Sequence, residues 1–441
     1  MLGVSVVPTL TLNIIYEREN NIIQINMLKI KYLILIFVLL GFTGTAVNAA
    51  KKKKDAPKEV KMGTLYKAAN LAIKNSSGQD NAKKNLLDAI GRESLSVKDK
   101  ANIFYTCALL DESSNSVQNT KAYLKQATDT AVLFSTLLNM FDNLYKCDSL
   151  DAIPNPNGSV KLKFKSRTNN LRSKHLPNIL NGGKYYLAKN NLATAYNFFN
   201  SYYTYTQPSD NMLSKVAYWA TFTSYKLGQY SNTLKYIDKA FDVVGDGDGA
   251  ILQEWKCRSH QALNDVEAYE NDLVHGVRKY PDHDYFFVNL TDIYSDKRMF
   301  KEGLSLADSL ISLNPSKPLY WYSKSKIKLA ENDYDKCIEY SDSTIRRDST
   351  FIDAYYNKGI SFLNLALIRQ EGACTDITDP KCLEDKKAIE IMYRKAQPCM
   401  EMVRKLDPEN KERWGRHLYR IYMFLNRGKE FEEIDKLLHS N

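Results

Sequence analysis

Little in this chain breaks a helix or marks a reactive centre. Of 441 residues, 19 are glycine and 12 proline, which excludes collagen-like and low-complexity polymers and leaves few stops for helices. Histidine is scarcer still. None of the six, His175, His260, His275, His283, His417 and His439, stands in HExxH, HxxxH or a Cys/His cluster of zinc spacing. GxSxG and a supported Cys-His arrangement are also missing, so no catalytic residue, cofactor or metal site is assigned and an enzyme is not expected. With 25% charged and 44% hydrophobic residues the chain is globular rather than disordered. What it has in excess is tyrosine, 29 residues against four tryptophans, a composition suited to filling interfaces between helices. We expect an all-α fold, and at this length several domains or a repeat array rather than one core.

The amino-terminal region reads as an address. Residues 27–49, MLKIKYLILIFVLLGFTGTAVNA, carry two lysines, an apolar run Tyr32–Leu40 and a small-residue site Val47-Asn48-Ala49, the layout of a secretory signal peptide. The run is far short of the roughly 20 residues that cross a bilayer. Met27 is read as the true start, with 1–26 an unstructured upstream mis-start. No cysteine lies near the cleavage site to accept a lipid, so soluble export to a bacterial periplasm is expected, without stable membrane insertion. Residues 50–62 form a basic linker that includes Lys51–Lys54 and holds part of the net charge of +10. Behind an export signal, that charge is not read as a nucleic-acid site.

Seven cysteines leave at least one unpaired thiol and no CxxC framework. Cys107, Cys257 and Cys337 fall in apolar helical patterns and read as core residues. Cys374 and Cys382 bracket TDITDPK, read as a loop, and are proposed as a disulfide.

Self-comparison finds a period. Pro281 and Pro315 are 34 residues apart, as are Val266, Phe300 and Tyr334. Units start near Leu176, Ser214, Ala250, Asp284, Pro318, Ile352 and Lys411. Aromatics recur at the fourth position (Phe287, Trp321, Tyr355, Trp414), Gly228-Gln229-Tyr230 makes a turn, small residues Ala195 and Gly303 enter the second helix, and Pro281, Pro315 and Pro408 close units. Small residues let paired helices approach, aromatics fill the gap between pairs, and proline stops the second helix. One pair cannot bury its apolar face alone, so stability comes from stacking. This pattern resembles the tetratricopeptide repeat family over residues 176–441, about seven units. Thr221 and Thr291 stand where the family has glycine, and Gly276 and Leu310 where it has alanine. The resemblance implies helix pairs stacked into a right-handed α-α superhelix, a solenoid, and with the export signal the chain reads as an exported bacterial repeat protein.

The unit from Ile352 is split by an insert near 369–385, read as extra turns at the hairpin tip. Residues 63–150 read as an irregular helical region of two pairs, with one long helix through 123–147, and 151–175 as a loop and the start of the array. GDGDGA, Gly245–Ala250, lacks the ligands of a calcium loop and reads as a flexible connector. His283-Asp284 reads as a solvated loop. Gly182-Gly183-Lys184 lacks the preceding strand and spacing of a phosphate loop.

In the family, first-helix side chains not used in packing face a groove. Carried to matching positions, these are Tyr218, Trp219, Phe222 and Tyr225; Trp255, Arg258, Tyr285, Asn289 and Asp292; Tyr322, Lys326, Tyr356 and Asn357; and Arg416 and Tyr419. Rings give contact area at low entropic cost, and Asn, Lys and Arg orient a backbone or carboxylate. The resemblance therefore implies a non-catalytic scaffold binding a protein or peptide in this groove. The other reading is a glycan-binding helical protein related to surface nutrient-uptake systems, with Trp219 stacking on sugar.

Overall fold

The computed structural model describes residues 59–155, 157–374 and 379–439. The segments read as mis-start and export signal, and most of the basic linker, lie outside the described residues. The chain divides into two units, Met1–Lys61 and Met62–Asn441, and the described helices all belong to the second.

Among the described residues there are eighteen α-helices, one short 3-10 turn at Phe241–Val243 and no strand, so the all-α expectation holds. In chain order the helices are α1 (Met62–Asn75), α2 (Gln79–Asp88), α3 (Val97–Tyr123), α4 (Thr130–Asp151), α5 (Lys165–Ala188), α6 (Leu192–Tyr205), α7 (Leu213–Lys226), α8 (Tyr230–Ala240), α9 (Asp246–Ala262), α10 (Val266–Lys279), α11 (Asp284–Asp296), α12 (Phe300–Leu313), α13 (Pro318–Ala330), α14 (Tyr334–Arg347), α15 (Ile352–Glu371), α16 (Pro380–Leu406), α17 (Lys411–Phe424) and α18 (Gly428–His439). Each packs on the next. Short connections make them antiparallel pairs. The first helices α11, α13 and α15 begin 34 residues apart, and so do the second helices α10, α12 and α14.

The pairs share a turn. At the end of the first helix one residue adopts the left-handed conformation, with φ between 53° and 69°: Ser76, Lys125, Asn190, Gly228, Asn264, Arg298, Asn332 and Asn426. The N–H of the residue after it returns to the carbonyl five positions back, for example Asp265 to His260 at 3.0 Å and Asp333 to Lys328 at 2.9 Å. This closure satisfies carbonyls that the helix end leaves open. In three turns the following side chain also starts the next helix: Asn191, Asp265 and Asp333 accept from the N–H of Thr194, Ala268 and Lys336 at 3.1, 3.1 and 3.3 Å. Among the described residues only the α15–α16 pair shows no such turn, and the insert lengthens these helices to 20 and 27 residues.

Burial is serial. One apolar cluster runs from α3 to α9, another from α9 to α13 and a third from α15 to α18. Gly182 and Gly183 lie inside α5, where a Cβ would stand 2.5 Å from the rings of Phe198 and Phe199 on α6. The glycine pair exists to let those rings in.

Three local expectations are corrected. The GDGDGA segment is no connector: Asp246–Gly249 form the first turn of α9, where Asp246 and Asp248 favour the positive helix end. Gly249 is buried beneath the Tyr280 hydroxyl, which would lie 2.6 Å from a Cβ there. The single helix expected through 123–147 is broken, because α3 runs on to Tyr123, Lys125 makes the left-handed turn, and Asp129 caps α4 through the Val132 N–H at 3.0 Å. His283 is no solvated loop residue. It precedes α11, half-buried, with Nε2 2.7 Å from a Glu254 carboxylate oxygen and its ring 5.0 Å from Phe286.

Candidate functional site

The first helices α7, α9, α11, α13, α15 and α17 carry the side chains singled out above, and most touch their counterparts on the next first helix. From α7 to α9, the Tyr225 ring stacks on Trp255 with centroids 4.9 Å apart, and Phe222 approaches the same indole at 6.1 Å. From α9 to α11, the Arg258 guanidinium lies 4.5 Å over the Tyr285 ring. Glu254 fixes Arg258 through Nε at 2.7 Å while its other oxygen takes His283. From α11 to α13, Lys326 Nζ donates to Asp292 at 2.6 Å. These two are 34 residues apart, one repeat position in successive units. From α13 to the start of α15, Tyr322 packs on Phe351 at 4.9 Å. From α15 to α17, Arg413 pairs with Asp353 and covers the Tyr356 ring at 5.1 Å, and that ring meets His417 edge-on at 5.9 Å.

This row is half-buried rather than free. Burial raises the phenol pKa of Tyr225, Tyr285, Tyr322 and Tyr356 above the ordinary value, so these hydroxyls stay protonated donors at neutral pH. Burial, with Arg420 nearby, lowers the pKa of His417 and keeps it neutral. The Tyr285 hydroxyl has no hydrogen-bond partner among the described residues. At the α17 end, exposed Arg416 and half-buried Tyr419, the latter 4.6 Å from Phe431, line a cleft of about 530 Å³ with Lys411, Glu412 and Leu437.

Other members belong to the packing. Asn357 is only 6% exposed, and its amide donates to Ser325 Oγ at 3.2 Å. It is a buried polar tie between α13 and α15, not a groove residue. Asn289 bridges within the stack, accepting from the Tyr269 hydroxyl at 3.1 Å and donating to the Tyr285 carbonyl at 2.7 Å. Trp219 is flanked by Phe199, Lys184 and Lys215 at 5.3, 5.6 and 5.5 Å. Tyr218 packs at the edge of the α3–α9 cluster.

Sequence reasoning missed Glu254, His283, Asp353, Arg413 and His417, which hold the row in place. The 34-residue spacing that aligns Asp353 with Tyr285 and Leu319 was the available signal for Asp353. Cys374 and Cys382, proposed as a disulfide, are brought together at the hairpin tip. The Cys382 thiol donates to the Cys374 carbonyl at 2.9 Å, and Asp385, paired with Arg369 at 2.6 Å, takes the Cys374 N–H. Among the described residues no three His, Cys, Asp or Glu side chains are grouped to hold a metal, and no helix is long and apolar enough to cross a membrane.

No family model matches the chain, and no curated protein does. Solved structures similar to it include the C-terminal part of a TPR repeat-containing protein from Cytophaga hutchinsonii (11% identity, 57% of this chain and 97% of that one, TM-score 0.35). A TPR repeats protein from Bacteroides fragilis is 16% identical over 58% of this chain and 97% of its own, with TM-score 0.30. A monomeric mutant of IFIT1 with Gppp-AAAA is 14% identical over 82% of this chain and 74% of its own, with TM-score 0.36. What decides the fold is internal to the chain: helix pairs repeating every 34 residues with one recurrent left-handed turn. The fold is of the tetratricopeptide type. The same left-handed turn also closes α1–α2 and α3–α4, and α5 starts at Lys165, before the unit read at Leu176.

Proposed function

We propose that this protein is exported to the periplasm and works there as a non-catalytic scaffold, holding a protein or peptide segment against the first-helix row. The observation that carries the reading is the row itself: six successive first helices set rings, cations and carboxylates side by side, from Tyr225 and Trp255 to Arg416 and Tyr419. Packed helices lie about 8–10 Å apart, so an extended segment at about 3.3 Å per residue meets a new unit roughly every three residues. Half-buried rings then supply contact area already fixed in place, and the Arg and Lys groups orient the backbone carbonyls. Exposed Arg416 at the α17 end suits an acidic side chain.

Export rests on the residues 27–49 alone. Cell fractionation with amino-terminal sequencing checks it: a mature protein starting at Ala50 in the periplasmic fraction is expected. The binding reading is tested by capturing periplasmic proteins on immobilised wild type and on a Tyr322→Ala/Lys326→Ala variant. Partners retained by the wild type and lost by the variant are expected, and equal recovery of every partner refutes it. Sugar stacking on Trp219 is not favoured, because Phe199 and two lysines already flank that ring.

A further inference from the structure

Between Asp151 and Asp210 the chain has no Asp or Glu but eight Lys and Arg, and four of these fall in KLKFKSR, residues 161–167. This run joins the loop after α4 to the first turn of α5. Val160 and Leu162 flank Lys161 and are 51% and 44% exposed, and Ile153 at the other end of the loop is 43% exposed. Single aliphatic side chains scattered over a surface are ordinary. Three in one loop, set among cations with no acid between them, form a patch of one chemistry.

The loop is pinned at its base. Asp151 takes Lys98 Nζ at 2.9 Å on one carboxylate oxygen and the Phe164 N–H at 2.8 Å on the other, and the same Nζ donates to the Lys161 carbonyl at 3.1 Å. Phe164 is fully buried beneath. Asp148 also turns inward, to Arg172 at 2.6 Å and Thr168 at 2.8 Å. Both carboxylates at the base are therefore engaged. Lys161, Lys163, Lys165 and Arg167 stay exposed, with no ion pair among the described residues.

Four cations held together without counter-charges call for an anionic partner, and the side chains beside them select which one. Three of the four are lysines, compact point charges that suit a diffuse field of phosphates, whereas recognition of one carboxylate or phosphate favours the arginine fork. The loop's one aromatic ring, Phe164, is buried, so it offers nothing on which a single-stranded nucleic acid could stack its bases. What it exposes is aliphatic, the chemistry that enters the boundary between lipid headgroups and acyl chains. We propose that this loop docks the protein on an anionic phospholipid surface, with Val160 and Leu162 entering the headgroup layer and the four cations meeting lipid phosphates. The contact is peripheral. It uses no residue of the first-helix row, so it stands or falls independently of the peptide-binding reading.

The test is co-sedimentation of the chain from Ala50 onward, which carries every described helix, with vesicles of phosphatidylcholine alone or of equal parts phosphatidylcholine and phosphatidylglycerol. Lys51–Lys54 are replaced by glutamine throughout, so that the basic linker contributes nothing. Onto this parent are built Lys161→Gln/Lys163→Gln and Val160→Ser/Leu162→Ser, each shown by circular dichroism to melt as the parent does. The parent is expected to bind the anionic vesicles and not the neutral ones, and to lose that binding between about 0.1 and 1 M salt as the screening length falls from about 10 to about 3 Å. A cation at such a surface is worth about fivefold in partition, so the double lysine variant should bind about 25-fold more weakly. The aliphatic variant should lose about tenfold. The proposal is overturned if the parent does not sediment at about 1 mM anionic lipid, where an affinity of about 10⁴ M⁻¹ would bind most of it. It is also overturned if either variant binds as well as the parent, or if neutral vesicles bind equally. Binding of poly-glutamate or duplex DNA, titrated in parallel, with the same dependence on the lysines and on Val160 and Leu162 would assign the loop to another class of partner and overturn it as well.

Discussion

Replacing Arg298 by glycine should stabilise the pair α11–α12, although it deletes the largest side chain in the turn. Arg298 sits at φ 56°, in the position filled by asparagine in four sister turns and by glycine at Gly228. A left-handed residue with a Cβ costs about 1–2 kcal/mol, less for asparagine, whose short side chain tolerates the conformation. Glycine removes that cost but gives back about 0.5–1 kcal/mol in unfolded-chain entropy. The Arg298 side chain is exposed and makes no hydrogen bond or ion pair among the described residues, so its loss adds nothing. The net gain is then up to about 1 kcal/mol. The mirror experiment is Gly228→Ala, at φ 69° with open space around the added Cβ, which should cost about 1 kcal/mol through the backbone alone. Because repeat arrays unfold in parts, the measurement is native-state amide exchange, read on the amides of α11–α12 and α7–α8 respectively. Slower exchange in the first variant and faster in the second is expected. If Arg298→Gly opens α11–α12 faster than wild type does, the shared turn is not what holds these pairs.

Three further outcomes follow from packing and charge. Gly183→Ala places a Cβ 2.5 Å from the Phe199 ring, so a loss of about 1–3 kcal/mol is expected in urea melts, and a neutral result would mean α5 and α6 do not approach as described. Thr221 is fully buried and its hydroxyl has no hydrogen-bond partner among the described residues, so Thr221→Val should raise stability by about 1 kcal/mol, and a drop in the melting midpoint would show a partner for that hydroxyl. The Glu112 carboxyl is held down to about 2, from 4.5, by hydrogen bonds first from His175 at 3.1 Å and then from Lys174 at 2.6 Å. A lowered carboxyl pKa gives stability that is whole above 4.5 and fades as pH falls toward about 2. Glu112→Gln should therefore flatten that acid limb, and an unchanged slope in melts across this window would remove Glu112 from the account.

Much of the fold is legible in the sequence because repetition makes the same local physics visible several times. Asp284, Pro318, Ile352 and Lys411, read as unit starts, are the first residues of α11, α13, α15 and α17. The turn was legible only at Gly228. Asn190-Asn191, Asn264-Asp265 and Asn332-Asp333 carry the same instruction in another code, one residue accepting the left-handed conformation and the next capping the helix that follows. GDGDGA misled because glycines normally interrupt helices, whereas Gly249 is required by the close approach of Tyr280. Within the candidate row, residue type identified the rings and cations, but Asn357 and Arg416 look alike in sequence. One is sealed against Ser325 and the other is in solvent.

The sequence by itself determined the helix period, the stacking of pairs and the supply of aromatic side chains, since each depends on residues close along the chain. Tertiary structure alone decided which of those side chains are spent on neighbouring helices. It also ties the loop of Val160 and Leu162 to Lys98, more than fifty positions back along the chain. Periodicity gives the direction a side chain takes from its own helix, while exposure and partnership depend on what the next pair brings to meet it.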